Sequence, residues 1–208
     1  MTFLEAINAV LRRLREDAVV SSNSTDYSKL IGDFVNQAIY DCEHAWDWNS
    51  LQDTITITTA AGNDTYNFHN ADVKIICAIN ETKNWVMRVI PDQYHYRLEY
   101  LDTPINDSPY YYTFRGRNLG AFSQVKLYPI PTGVETLRFL TVKYTPEKAI
   151  DGSDDSDVIN VSTLPVVLNA YAKAVSERGE DGGIGFNEAD LAYRSALADA
   201  ISLDCSLQ

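Results

Sequence analysis

The hydrophobic period of this sequence changes twice, and these two changes limit the folds that the chain can adopt. Apolar residues recur at three- and four-residue spacing over residues 27–46, which predicts an amphipathic helix about 30 Å long. The period falls to two at residues 54–59, where β-branched residues alternate as they do in a half-buried strand. It returns to the helical value after residue 160. The chain is therefore predicted to insert a β region between two helical regions.

Two helices are predicted on each side of the β region. They cover residues 3–16, 27–46, 164–178 and 187–203, with a flexible connection at 182–185 between the last two. Arg12, Arg13 and Arg15 stand near the end of the first helix, where cations interact favourably with the helix dipole. Neither pair is large enough to bury its apolar face alone, so we expect both pairs to form one antiparallel helical layer. This predicts a helical domain made of residues 1–50 and 160–208.

The β domain is predicted to span residues 51–147, with an acidic linker at 148–159. Its seven strands are expected at residues 54–59, 65–68, 73–79, 85–90, 110–115, 122–128 and 134–144. The first two strands are predicted to pair across a turn at 61–64, the third with the fourth across 80–84, and the fifth with the sixth across 116–120. A short helix is expected at 92–98. The predicted fold class is α+β, with an antiparallel β-sandwich or partial barrel inserted into the helical layer.

The net charge of −12 argues against binding of nucleic acid, which usually depends on Lys and Arg. A strong negative balance has two other interpretations. It can serve solubility, or it can line a surface that DNA must pass without adhering to it. Composition alone does not choose between the two.

The apolar runs, the N-terminus and the cysteines indicate the compartment in which the chain is made. No apolar run reaches the roughly 20 residues that a membrane span needs, and the N-terminus lacks the layout of a signal peptide. Cys42, Cys77 and Cys205 are odd in number and widely spaced, which indicates no disulfide framework. We therefore expect synthesis in a cytoplasm and no membrane partner.

Few residues suggest catalysis or metal binding. The histidines at 44, 69 and 95 lie in different predicted elements, and no serine has a His and Asp context. The alternating Asp151, Ser153, Asp155 and Asp157 resemble the start of a calcium loop, but Ser162 stands where the bidentate glutamate is needed. The sequence predicts no enzyme, no cofactor and no metal site.

The aromatic residues allow two interpretations each. Trp46 and Trp48 follow the long helix and could stack on sugar rings, but packing that fixes the angle between layers is the favoured interpretation, with Leu30 and Phe34 as further packing residues. A second group of tyrosines flanks a polar loop. Residues 94 and 96 belong to this group, and its proposed interface members are Tyr100, Tyr110, Tyr111 and Tyr112. Core and protein interface are equally compatible with these tyrosines, and we also expect the arginines at 12, 13 and 15 to lie at an interface.

Taken together, the order of motifs resembles a known family. The long helix ends in Ala-Trp-Asp-Trp at 45–48, and a threonine-rich strand follows. Later come Ile-Pro-Asp-Gln-Tyr at 90–94, Leu-Tyr-Pro-Ile-Pro at 127–131 and Val-Lys-Tyr-Thr-Pro at 142–146, before two closing helices. This order resembles the head-to-tail adaptor (connector) proteins of tailed bacteriophages, especially the short-tailed ones, over residues 3–203. Residues 67–70 depart from the family pattern, because a proline-containing exit from the strand is expected there.

The resemblance implies a structural role in the virion rather than an activity. Such adaptors form a twelve-membered ring under the portal protein, extend the DNA channel, and offer a docking face to the tail nozzle protein and often to tail fibres. DNA would pass through without sequence-specific binding. The main alternative is a carbohydrate- or peptide-binding β domain of a tail component. A neck completion protein and a hydrolase built from scattered carboxylates are further alternatives.

Overall fold

The computed structural model describes residues 1–69, 73–101, 103, 105–117, 123–179 and 184–206. Five helices lie in these ranges: α1 (Phe3–Arg13), α2 (Asp26–Ala45), α3 (Asp92–Tyr100), α4 (Thr163–Arg178) and α5 (Ile184–Cys205). The strands are β1 (Gln52–Thr58), β2 (Thr65–His69), β3 (Val73–Asn80), β4 (Trp85–Val89), β5 (Tyr111–Arg117), β6 (Ser123–Tyr128) and β7 (Thr136–Lys143). The α+β class is confirmed.

The chain divides into two compact units. Residues 1–51 and 145–208 form the helical unit, and residues 52–144 form the β unit. The predicted connection at 182–185 lies partly outside the described residues, and its last two residues belong to α5. The turn predicted at 116–120 also lies partly outside the described residues, because residues 118–122 are not described. Its first residue, Gly116, belongs to β5.

The first helix begins where the sequence predicts and ends earlier. Thr2 and Glu5 form a capping box, with the Glu5 amide donating to Thr2 Oγ1 at 3.2 Å and the Thr2 amide to Glu5 Oε2 at 2.8 Å. The helix stops before Arg15, which is left-handed at φ 61°. The Glu16 amide then donates to the carbonyl of Leu11, as in a Schellman motif. This local turn ends α1 three residues before the predicted end at residue 16.

The long helix α2 contributes one apolar face to the core of the helical unit. Thr25 caps it by accepting a hydrogen bond from the Ser28 amide, and Ile31, Val35 and Ala38 on its apolar face are fully buried. A Cβ added at Gly32 would lie 3.2 Å from Ile150 Cγ2, so the glycine allows a close approach here. Helix α2 packs against α4, which also contacts α1 and α5. Helix α4 ends at Gly179, as predicted, with φ 62°.

The segment at 148–159 differs from the predicted solvated linker, because it is bound into the helical unit. The amides of Phe3 and Leu4 donate to the carbonyls of Asp157 and Asp155. Ile159 is buried and donates its amide to the Met1 carbonyl. These contacts use the backbone and an apolar side chain, and the sequence pattern shows only the acidic residues around them. The segment therefore works as a structural strap across the helical unit.

The β unit is one mixed, nearly closed sheet with the strand order β1-β7-β3-β4-β5-β6-β2. Its two edge strands contact each other, so the predicted partial barrel is confirmed. The wholly antiparallel arrangement is wrong, since β4 and β5 pair in parallel through Arg88–Tyr111 and Val89–Tyr112. Helix α3 lies between these two strands in the sequence and makes the crossover that a parallel pair requires. Phe68, Leu137 and Phe139 fill the core.

Strand pairing agrees with the sequence for two hairpins and differs for a third. β3 pairs with β4, and β5 with β6, as expected. β1 and β2 do not pair across the turn at 61–64: β1 pairs with β7, and β2 pairs with β6. Hydrogen bonds other than those of a hairpin fix the turn. The Gly62 amide donates to the Pro131 carbonyl, and Tyr66 Oη donates to the Asn63 carbonyl. The two strands thus leave the turn toward opposite edges of the sheet.

Candidate functional site

The three arginines predicted as interface residues lie together at the C-terminal end of α1. All three are exposed, and none of them has an ion-pair partner among the residues that the structure describes. Arg178 nearby differs from them, since its guanidinium pairs with Glu16 and lies 5.1 Å from the centre of the Tyr27 ring. The end of α1 is therefore a basic surface in a strongly acidic protein.

The predicted tyrosine surface is only partly present. Tyr100 is 58% exposed and Tyr110 is 37% exposed, while Tyr111 is half-buried. Tyr112 is buried, with its ring edge-on to Phe139 at 5.6 Å between centroids, and it leaves no surface for a partner. The alternation of a strand explains this difference, because successive side chains of β5 point to opposite faces. The interface prediction for Tyr112 is corrected to a core role.

Helix α3 extends the exposed aromatic surface. Tyr96 is 59% exposed, and its ring centroid lies 4.4 Å from that of Tyr100. Within this helix the buried side chain is His95, while Tyr94 is also exposed. The sequence indicated this group of tyrosines but not which members face solvent, since the helix is too polar for its inward face to be recognised.

The four predicted packing residues lie in the helical unit. Trp48 is buried and donates its indole N–H to the Cys42 carbonyl at 2.7 Å. Trp46 is half-buried and donates to Asp204 Oδ2 at 3.2 Å. Leu30 and Phe34 are half-buried on α2. Stacking on a sugar ring needs an exposed indole face, and neither of these two tryptophans is exposed.

A buried charged cluster in the β unit was not predicted from the sequence. Lys126 Nζ lies 2.6 Å from Glu99 Oε1 and 3.3 Å from Asp64 Oδ2, with only 4% of the lysine side chain exposed. His95 is buried beside it, and its Nε2 has no hydrogen-bond partner among the described residues. Burial and the Lys126 charge lower the pKa of His95. A lysine within the otherwise apolar run at 125–128 was the available signal.

The cluster borders a cavity of about 270 Å³ that is also lined by Tyr100, Leu127 and Ile130. Lys126 pairs with both carboxylates, so the arrangement holds α3 against the sheet, and the carboxylates are not free ligands for a cation. Among the described residues, no group of three or more His, Cys, Asp or Glu side chains could hold a metal ion.

Glu43 and Glu135 are buried, and each accepts hydrogen bonds from nearby residues. Glu43 accepts from the Thr145 amide at 2.7 Å and from the Thr145 hydroxyl, and burial raises its pKa. Glu135 accepts from the Asn80 side-chain amide and from the Ser108 hydroxyl. These side chains fix loops in place, which is the usual role of a buried polar group that has its hydrogen bonds.

In the described ranges, no helix is both long and apolar enough to cross a membrane.

No curated protein matches the chain significantly. The sequence profile of the SU10 adaptor protein family matches residues 1–204, which is nearly the whole chain. This chain belongs to the SU10 adaptor protein family.

Proposed function

We propose that the protein is the head-to-tail adaptor of a tailed phage, and that copies of it form a ring, of twelve members, between the portal protein and the tail nozzle protein. The observation that carries this proposal is the family match over residues 1–204, since the family is one of phage adaptors. The short-tailed phage type and the ring position come from the sequence resemblance. The work of such a protein is assembly, and no bond is made or broken.

The electrostatics of the chain support this role. With 29 carboxylates against 17 Lys and Arg, a ring of these subunits offers DNA a like-charged channel. DNA can pass such a wall without binding it, because there are few cations to release counterions from phosphate. The basic end of α1 is the local exception, and it suits a protein contact.

The surfaces of the two units support a division of labour. In this proposal the helical unit meets neighbouring copies and the portal, and the β unit meets the nozzle and, where they are present, the tail fibres. The exposed tyrosines of α3 suit the second task, because aromatic side chains are enriched at protein interfaces. Synthesis occurs in the bacterial host cytoplasm, and the mature location is the head–tail junction of the virion.

Reconstitution with the portal protein encoded by the same phage tests the proposal. We expect the mixture to give a portal with a second ring of this protein beneath it, visible by electron microscopy, and native mass spectrometry to give twelve copies. The matched sample contains portal alone. If purified virions also lack this protein at the neck, and the mixture gives no joint particle, the proposal is wrong.

A further inference from the structure

A shallow groove on the helical unit has an apolar floor and a basic rim. It lies between α1 and the start of α4, has a volume of about 390 Å³, and contains Met1, Ala9, Leu164 and Val167. Leu164 is 54% exposed and Met1 is 43% exposed, so the floor of the groove presents apolar surface to solvent. Arg12 and Arg13 line the same groove and have no carboxylate partner within the described part of the chain.

The outward face of α5 is also apolar in part, but its charged side chains are mostly acidic. Leu191 and Leu203 are each 67% exposed, and they stand twelve residues apart, on a helix that buries Ala189 toward its own unit. Small side chains at 192, 195, 198 and 202 lie between them, so another helix can approach closely. The face is acidic, because α5 has four carboxylates and one arginine.

Two of those four carboxylates already have partners and two do not. Asp190 pairs with Arg194 at 2.8 Å, and Asp204 accepts hydrogen bonds from Trp46 and the Asn49 amide. Glu188 and Asp199 are exposed on the outward face and have no partner among the described residues. Two carboxylates without an ion-pair partner among the described residues therefore lie on one surface of the helical unit. Two guanidinium groups without such a partner, those of Arg12 and Arg13, lie on another.

We propose that the outward face of α5 in one copy docks into the α1–α4 groove of the next copy. The occupant is a second copy of this chain because the two surfaces are complementary in both apolar content and charge. They are also different surfaces of one molecule, so the contact is head-to-tail, and repeated head-to-tail contacts close into a ring when the rotation permits. This inference rests on the proposed function and specifies which surfaces hold the ring together.

Charge reversal with rescue tests the contact in the portal reconstitution. Arg12→Glu/Arg13→Glu places like charges across the interface, and Glu188→Arg/Asp199→Arg does the same from the other side. We expect each double variant to reduce the fraction of assembled rings at least tenfold, and the four substitutions together to restore most of it. Lys83→Glu, exposed in the turn between β3 and β4, is the matched control and should assemble normally. Circular dichroism checks that every variant is folded.

A zero-length crosslink identifies the partner directly. Arg12→Lys/Arg13→Lys keeps the charge and supplies amines that a carbodiimide can couple to a nearby carboxylate. In assembled rings we expect an intersubunit amide from position 12 or 13 to Glu188 or Asp199, found by mass spectrometry.

The outcomes separate this inference from the proposed function. Wild-type rings that persist with Arg12→Glu/Arg13→Glu overturn the interface and leave the adaptor role intact. A crosslink from position 12 or 13 to the portal, or reversal without rescue, also overturns it, because the groove would then hold a different protein. Absence of any ring, in the mixture and in virions, overturns both.

Discussion

His95 illustrates how much of this protein is decided by single buried side chains. It is 3% exposed and lies edge-on to the Tyr128 ring, with centroids 6.0 Å apart. The charged groups that face it are Lys126 from β6, Glu99 from its own helix and Asp64 from the turn before β2. Burial and the lysine outweigh the two carboxylates, so the pKa of His95 lies below the ordinary value of 6.5.

This lowered pKa predicts a pH dependence of stability. The unfolded chain binds a proton at His95 near pH 6.5, and the folded chain binds it only at lower pH. Stability should therefore fall as pH decreases from 6.5 to the folded pKa. His95→Phe retains the ring contact with Tyr128 and cannot titrate, so we expect this variant to lose that part of the dependence. Urea unfolding at pH 5.5 and pH 7.5 measures it.

A variant at a different histidine provides the control for this measurement of stability at two pH values. His44 is exposed on α2, and His44→Ala serves as the control, which should keep the wild-type difference between the two pH values. An unchanged difference in His95→Phe would mean that other groups cause the acid sensitivity.

At the scale of elements, helices followed from the sequence more reliably than strand pairing. Helix α2 could be predicted because three- and four-residue spacing, a Thr25 cap and a long apolar stripe all agree. The β1–β2 hairpin could not be excluded, since alternation shows that a strand exists but not which strand pairs with it. The parallel pairing of β4 and β5 depends on α3 crossing between them, and no local pattern encodes it.

The strap at 148–159 was misinterpreted for a related reason. Acidic residues are typical of a solvated linker, but Asp155 accepts from the Ser21 hydroxyl at 2.7 Å and from the Ser22 amide. Asn23 donates to the Asp151 carbonyl at 2.7 Å. These partners are more than 120 residues away in the sequence. Composition cannot distinguish a carboxylate that faces water from one that accepts hydrogen bonds from a distant turn.

Gly152 provides a test of the strap. Its φ is 95°, and an added Cβ would lie 2.8 Å from Ser21 Oγ, which cannot move without losing its bond to Asp155. We expect Gly152→Ala to lower the free energy of unfolding by about 3 kcal/mol, from backbone strain and the clash together. Chemical denaturation measures the change.

Gly179→Ala is the matched control in the same unit. Gly179 also has a left-handed φ, of 62°, but no atom of the described residues lies within 4 Å of an added Cβ. Only the backbone cost of about 1 kcal/mol is expected there. Equal effects of the two substitutions would show that residues 148–159 are not packed against Ser21 in solution.

At the scale of the whole molecule, the distribution of exposed apolar groups is uneven. Around α3 the β unit exposes Tyr94, Tyr96, Tyr100 and Leu101, the last by 80%. Monomeric proteins rarely leave so many large apolar side chains on one short helix without a partner. The sequence suggested a tyrosine interface, but it could not separate these residues from Tyr112 in the core, because both groups occur in polar surroundings along the chain.

We expect the exposed aromatic surface of α3 to contact the tail. Tyr96→Ala/Tyr100→Ala removes two adjacent, exposed rings, so we expect a change in unfolding free energy of less than about 1 kcal/mol and normal ring formation on the portal. Binding to the nozzle protein should weaken by tenfold or more, because exposed aromatic side chains often dominate the energy of an interface. Phage with this variant should then accumulate filled heads without tails, counted by electron microscopy against infectious titre.

Tyr40→Ala is the control. It removes a ring that is 62% exposed on α2 of the helical unit and should leave tail attachment unchanged. Normal nozzle binding by the Tyr96→Ala/Tyr100→Ala protein would contradict a tail contact through α3, because two of the exposed tyrosines of this helix are then missing.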